Sequence, residues 1–107
     1  MKNIINAIMK RYYEEDKEVL WEFNFHGDLY DCYAGTKGIY RSKKDGVYFY
    51  AARHINELER TGPNYLVILP EDIVAEALTK KYTKFYGGAE HYEIDPEYYL
   101  MEAHYIY

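Results

Sequence analysis

The histidines of this sequence are His26, His54, His91 and His104, and no two stand four apart, the spacing at which one helix face offers two imidazoles to a metal. His91-Tyr92-Glu93 would set an imidazole and a carboxylate on one strand face, but a metal site needs three or four convergent ligands. No metal and no cofactor is expected. Cys32 is the only cysteine, which leaves no internal disulfide and no paired-cysteine half-site. It occupies the apolar slot of an alternating stretch, which suits a small buried hydrophobe better than a nucleophile. Ser42, the only serine, lies beside Lys43 and Lys44 in turn-like sequence, not at a strand-to-helix elbow. Gly87-Gly88 is expected after a helix, whereas a phosphate cradle needs its glycines before one. No catalytic residue is assigned from these side chains, and the reading leans away from an enzyme.

The tyrosines are the remaining signal. Fifteen of the 107 residues are Tyr, whose hydroxyl needs water or a partner wherever the ring is buried. Aliphatic core material is correspondingly scarce, which points to a thin core, a wet aromatic surface or tyrosines buried against a second chain. The net charge of −5 argues against a dedicated duplex-DNA binder. That charge is unevenly spread: residues 37–60 hold six basic and three acidic side chains, whereas residues 88–107 hold five acidic and none basic. An acidic, tyrosine-rich tail suits a basic protein partner better than phosphate. No apolar run approaches the ~18 residues of a membrane span, and the first residues turn polar at once, without the core of a secretory signal. A reducing, cytoplasmic location and no membrane contact are therefore expected.

A chain of this length fits one domain, residues 1–107. Ile4, Ile5, Ile8 and Tyr12 recur at helical spacing and predict a helix over residues 2–17, ended by Glu14-Glu15-Asp16 against the helix dipole. From Val19 the period becomes two, with Trp21, Phe23 and Phe25 alternating with polar positions, so a half-buried strand follows. Residues 29–33 read as a second strand, and Gly35-Thr36-Lys37-Gly38 as a reversal. Residues 38–50 then form a hairpin: Ile39-Tyr40-Arg41, a polar turn through Ser42 to Gly46, and a return from Val47 to Tyr50. The return strand should place Val47, Phe49 and Ala51 on one face and Tyr48 and Tyr50 on the other.

A short helix is expected over about residues 52–60, then a buried strand over residues 65–69. A helix opening at Pro70-Glu71-Asp72 should run to Phe85, with Gly87-Gly88 as its stop. In the tail, Tyr92 and Ile94 suit a strand. Asp95-Pro96-Glu97 is a good helix start, and residues 98–107 fit helix or strand equally. The fold class is thus α+β: a small single domain with an antiparallel sheet of four to five strands, two main helices packed on it and a short third helix.

Gly38-Ile39-Tyr40, then Tyr50-Ala51-Ala52, then Arg60 on the following helix resembles the layout of GIY-YIG nucleases. That resemblance implies phosphodiester cleavage with Tyr40, Tyr50 and Arg60 in the site and Glu97 or Glu102 holding a divalent metal. The second triplet departs from Tyr-Ile-Gly, and Asn64 stands where a histidine would follow the arginine.

Two functions from different classes follow. The first is a non-enzymatic module that binds another protein, as an inhibitor or accessory protein or as a homodimer, through Tyr92, Glu93, Glu97, Tyr98, Tyr99, Glu102 and Tyr105. Tyrosine suits such surfaces because it offers rigid contact area with a polar tip. The alternative is a single-stranded nucleic-acid binder or metal-dependent nuclease using Tyr40, Arg41, Lys43, Lys44, Tyr48, Tyr50, Arg53 and Arg60. There, bases would stack on the rings and the cations would follow the backbone.

Overall fold

A computed structural model describes residues 7–25, 34–54 and 63–106, and the chain divides into two compact units, Met1–Leu69 and Pro70–Tyr107. The fold class is α+β, as the alternation of periods predicted. The first unit holds α1 (Ala7–Glu14), β1 (Lys17–Phe25), β2 (Gly35–Ser42), β3 (Tyr48–His54) and β4 (Tyr65–Leu69). The second holds α2 (Glu71–Ala77), β5 (Lys81–Tyr86), β6 (Ala89–Ile94) and α3 (Pro96–Glu102).

In the first unit the four strands form one antiparallel sheet in the order β1-β2-β3-β4. Its centre is the expected hairpin, with Tyr40 opposite Phe49 and Ile39 opposite Tyr50. The turn is closed by Ser42: its N–H donates to the Val47 carbonyl at 2.8 Å, its carbonyl accepts from the Gly46 N–H at 2.8 Å, and its hydroxyl accepts from the Asp45 N–H at 3.2 Å. Gly46 turns the chain at φ +71°, a backbone setting that a side chain would oppose.

Because side chains alternate across a strand, the register sorts the sheet into two faces. Tyr40, Phe49, Ala51 and Leu66 share one face and are fully buried, and Met9, Tyr12 and Tyr13 pack against them, the two tyrosines from α1 included. Tyr13 meets the Tyr40 ring edge-on at 5.8 Å, and Tyr12 lies 6.1 Å from Phe49. Such aromatic pairs add about 0.5–1.5 kcal/mol each to what area burial supplies. The helix stops where the acidic run begins. Lys10 and Glu14 pair at 3.9 Å on its exposed side, and β1 starts at Lys17. The other face carries Trp21, Phe23, Phe25, Lys37, Ile39, Arg41, Tyr48 and Tyr50.

Several expectations are corrected. Residues 35–38 are not a reversal but the first half of β2, which pairs directly with β1. Their glycines serve close approach: a Cβ on Gly35 would fall 2.3 Å from the Arg53 carbonyl oxygen, and one on Gly38 2.5 Å from that of Trp21. The strand expected over residues 29–33 lies outside the described residues. Ala52, Arg53 and His54 continue β3 instead of opening a helix, and residues 55–60 lie outside the described set. The strand over residues 65–69 is present as β4 at the end of the sheet, with Leu66 and Leu69 buried and Ile68 exposed.

In the second unit, the helix expected to reach Phe85 ends at Ala77, and residues 81–86 form β5. The apolar stripe gives out after Leu78, and the Thr79 hydroxyl lies 3.2 Å from the Ala75 carbonyl oxygen and 3.3 Å from that of Glu76, capping the last turn. Gly87 and Gly88, at φ +57° and +83°, are a two-residue hairpin turn, since both central positions of that turn type need positive φ. The tail is strand and then helix. Asp95 is the cap of α3, its carboxylate accepting from the Tyr98 N–H at 3.0 Å with Pro96 following. After α3, His104 takes φ +67° and the chain folds back, the Tyr105 N–H donating to the Leu100 carbonyl at 2.9 Å.

Candidate protein-binding surface

Two groups of residues need placing: those of the first hairpin and those of the tail. In the hairpin, Tyr40 is fully buried and its hydroxyl donates to the Glu22 carboxylate at 2.8 Å. Burial, then that bond and charge, push its phenol well above the usual tyrosine range. Lys17 sits over the Tyr13 ring at 4.3 Å and the Tyr40 ring at 5.4 Å and donates to the Tyr13 carbonyl, a set of contacts that ties α1 to the sheet. Desolvation lowers its pKa, against the raising influence of Glu22 and Asp16.

Tyr50 is buried and Tyr48 half-buried, with the Arg41 guanidinium 5.9 Å from the Tyr48 ring. Lys43 pairs with Asp16 at 3.6 Å on the surface. Lys44 lines a small cavity of roughly 90 Å³ with Arg11, Tyr12, Glu15 and Asp45, where the charges are balanced. Arg53 is half-buried, its Nε enclosed without a hydrogen-bond partner among the described residues. Arg60 lies outside the described residues. The hairpin candidates are therefore divided among the core, both sheet faces and the turn.

The second unit holds the tail residues. The register of β5 and β6 runs unshifted from Lys81 opposite Ile94 to Tyr86 opposite Ala89. One ribbon face then carries Tyr82, Lys84, Tyr86, Ala89, His91 and Glu93. The Tyr82 ring meets Tyr98 of α3 edge-on at 4.8 Å, and its hydroxyl donates to Glu102 at 3.2 Å. Lys84 binds Asp95 at 2.8 Å and lies 5.5 Å from the Tyr98 ring. Tyr86 donates to Glu93 at 2.9 Å and leans on His91. This face is knitted to α3 and to itself.

The opposite face carries Lys81, Thr83, Phe85, Glu90, Tyr92 and Ile94, all exposed. Phe85 is 71% exposed, Tyr92 67% and Ile94 47%, which puts three large apolar side chains in water on one side of a two-stranded ribbon. Such a ribbon is marginal alone.

The expected tail residues thus fall in three places. Tyr92 is on the open face. Glu93, Tyr98 and Glu102 are exposed on the side knitted to α3, with Glu97 half-buried. Tyr99 is buried with Lys80 5.1 Å over its ring, and Tyr105 is half-buried. Phe85 and Ile94 were missed as site residues. Reading residues 81–86 as a strand would have found Phe85, since Thr83 and Phe85 alternate with Tyr82, Lys84 and Tyr86 around a Gly-Gly turn.

Among the described residues no group of three or more His, Cys, Asp or Glu side chains converges in a way that could hold a metal ion, and no helix is long and apolar enough to cross a membrane. Comparison with protein-family models, with curated proteins and with solved structures finds no match to this chain.

Proposed function

We propose that this chain is a non-enzymatic interaction module that binds another protein through the tyrosine-rich, acidic surface of its second unit, in the manner of an inhibitor or accessory protein. The observation that carries this reading is the open ribbon face with Phe85, Tyr92 and Ile94 in water. Interfaces favour aromatic anchors at the centre and polar groups at the rim; Glu90 lies beside these anchors on the open face, and Glu93 and Glu102 carry the acidic character round to the other side of the ribbon. The acidic side chains of the second unit favour a basic partner, and a second copy of the chain is the alternative occupant. A reducing cytoplasmic setting suits the lone Cys32.

The test uses the full chain with Phe85→Ser and Tyr92→Ser together. Both side chains are exposed, so circular dichroism and the thermal midpoint should be unchanged, while the partner retained by the unaltered chain on purification from its own cells should be lost. Retention of the same partner by the double variant would sink the proposal. Sedimentation across a range of concentrations decides whether that partner is a second copy.

A second reading, binding of single-stranded nucleic acid, is favoured by one observation in the first unit. Lys37 lies 5.4 Å from the Phe23 ring and 5.6 Å from the Phe25 ring, and Phe23 is 51% exposed, a cation and stacking rings on one strand face. Titration with labelled oligonucleotides at two salt concentrations tests it. Absence of binding at low salt would eliminate it, whereas magnesium-dependent cleavage lost in Arg60→Ala would promote its nuclease version.

A further inference from the structure

The outer edge of β6 has a chemistry of its own. β6 is hydrogen-bonded to β5 on one side, and among the described residues no strand pairs with its other side. All six of its residues are exposed. In an antiparallel ribbon, alternate residues point their N–H and C=O groups away from the partner strand, so this edge offers a row of unmet donors and acceptors. Proteins usually blunt such edges with proline, lysine or a bulge. The run Ala89-Glu90-His91-Tyr92-Glu93-Ile94 has no proline or lysine, and its register with β5 is unshifted.

We infer that the β6 edge is a strand-addition site for an extended basic segment of a protein partner; this rests on the protein-binding reading of the second unit. The charges select the occupant. Glu90 and Glu93 lie on opposite faces of β6, and each accepts a neutral tyrosine hydroxyl, Tyr92 at 3.2 Å and Tyr86 at 2.9 Å; Glu93 also feels the Lys84 charge, whose own ion pair is with Asp95. Asp95, just beyond the strand, is already held by Lys84 at 2.8 Å. A second copy added antiparallel must set outward-bonding residues opposite one another, Tyr92 against Tyr92 with Glu90 against Ile94, or Glu90 against Tyr92, so it brings no lysine or arginine to either carboxylate. A strand with lysine or arginine opposite Glu90 and Glu93 pairs each carboxylate with a cation.

The pattern of the incoming strand follows. Running antiparallel, it meets Ile94, Glu93, Tyr92, His91 and Glu90 in turn, so it should read apolar, basic, apolar, any residue, basic. Main-chain bonds would supply the affinity, and the alternating side chains the selectivity.

The probe is a synthetic peptide with the central sequence Val-Lys-Val-Thr-Lys, titrated into the isotopically labelled full chain. Saturable binding with slowed hydrogen exchange at alternate amides of Glu90 to Ile94 is the expected result. Methylating alternate backbone nitrogens of the peptide should abolish it. Glu90→Lys with Glu93→Lys should weaken it roughly 2- to 30-fold through two cross-strand pairs, and a peptide with glutamates in place of its lysines should then recover it. A scrambled peptide of equal charge binding as well, indifference to N-methylation, or no saturable binding would each overturn the inference. So would protection of the β6 amides that grows with protein concentration in the absence of peptide, since the occupant would then be a second copy. If the peptide fails while Phe85→Ser with Tyr92→Ser still releases the partner, strand addition is wrong and the protein-binding reading stands.

Discussion

The Tyr40 hydroxyl donates to the Glu22 carboxylate across paired strands of the first unit, at 2.8 Å, with the Tyr40 ring fully buried against Tyr13 and Phe49. The tyrosine that leads the hairpin is thus a core residue whose polar tip is satisfied at the rim. Tyr40→Phe should cost about 1–2 kcal/mol, towards the low end for a bond to a charged group because Glu22 is exposed. Tyr40→Ala should cost about 3–5 kcal/mol through the cavity it leaves. Urea unfolding of the two variants checks the order. Equal costs would mean that the hydroxyl, not the ring, matters at this position.

Gly38 sets a second test of the same packing. A Cβ there would lie 2.5 Å from the Trp21 carbonyl oxygen and 2.7 Å from the Tyr40 hydroxyl. The first of these is backbone in a paired strand and cannot step aside. Gly38→Ala should therefore destabilise by about 1–3 kcal/mol, the usual cost of overpacking. An unchanged denaturation midpoint would show that β1 and β2 are further apart than the register requires.

These two residues also show what the sequence made legible. The hairpin at residues 38–50 was readable because Gly46, Ser42 and the alternating aromatic residues all act locally. Gly35 and Gly38 misled because glycine looks the same whether it turns the chain or lets a neighbouring strand come close. The same ambiguity hid the ribbon. Gly87-Gly88 serves as a helix stop or a hairpin turn, and the lysines at 80, 81 and 84 suit a helix end as well as they suit β5. Tyr82, Thr83, Phe85 and Tyr86, four strand formers in five residues, carried the contrary signal, and following it would have placed Phe85 on an open face. The cap at Asp95-Pro96 was legible for the opposite reason, since its chemistry is wholly local.

Asp95 holds both ends of a junction, accepting from the Tyr98 N–H at 3.0 Å and from Lys84 at 2.8 Å. Asp95→Ala should cost about 0.5–2 kcal/mol, the range for losing a cap. Asp95→Asn keeps the cap and loses the ion pair, so it should cost less, and its cost should vanish in a Lys84→Met background. A double-mutant cycle by thermal unfolding reads this. Equal losses for Asn and Ala would assign the role to the ion pair instead.

The second unit should also lose stability in alkali. Desolvation, then the charge of Glu102 and the bond to it, raise the Tyr82 phenol to about 12. In the unfolded chain it titrates near 10. The folded state keeps its proton longer, so this contribution is complete below about pH 10 and is lost as pH rises towards about 12. Lys84, raised chiefly by its bond to Asp95, works in the same direction. Unfolding midpoints across that range should therefore fall less steeply for Tyr82→Phe than for the unaltered chain. Parallel curves would mean that Tyr82 and Glu102 do not interact in solution.

Site-specific photo-crosslinking in the cells of origin measures directly whether the open face of the ribbon meets a protein. A photoreactive phenylalanine replaces Phe85 in one version of the chain, Tyr92 in a second and Glu18, exposed on β1, in a third. The prediction is one discrete crosslinked protein from positions 85 and 92 and none from position 18. Crosslinks from all three positions alike, or from none, would contradict it.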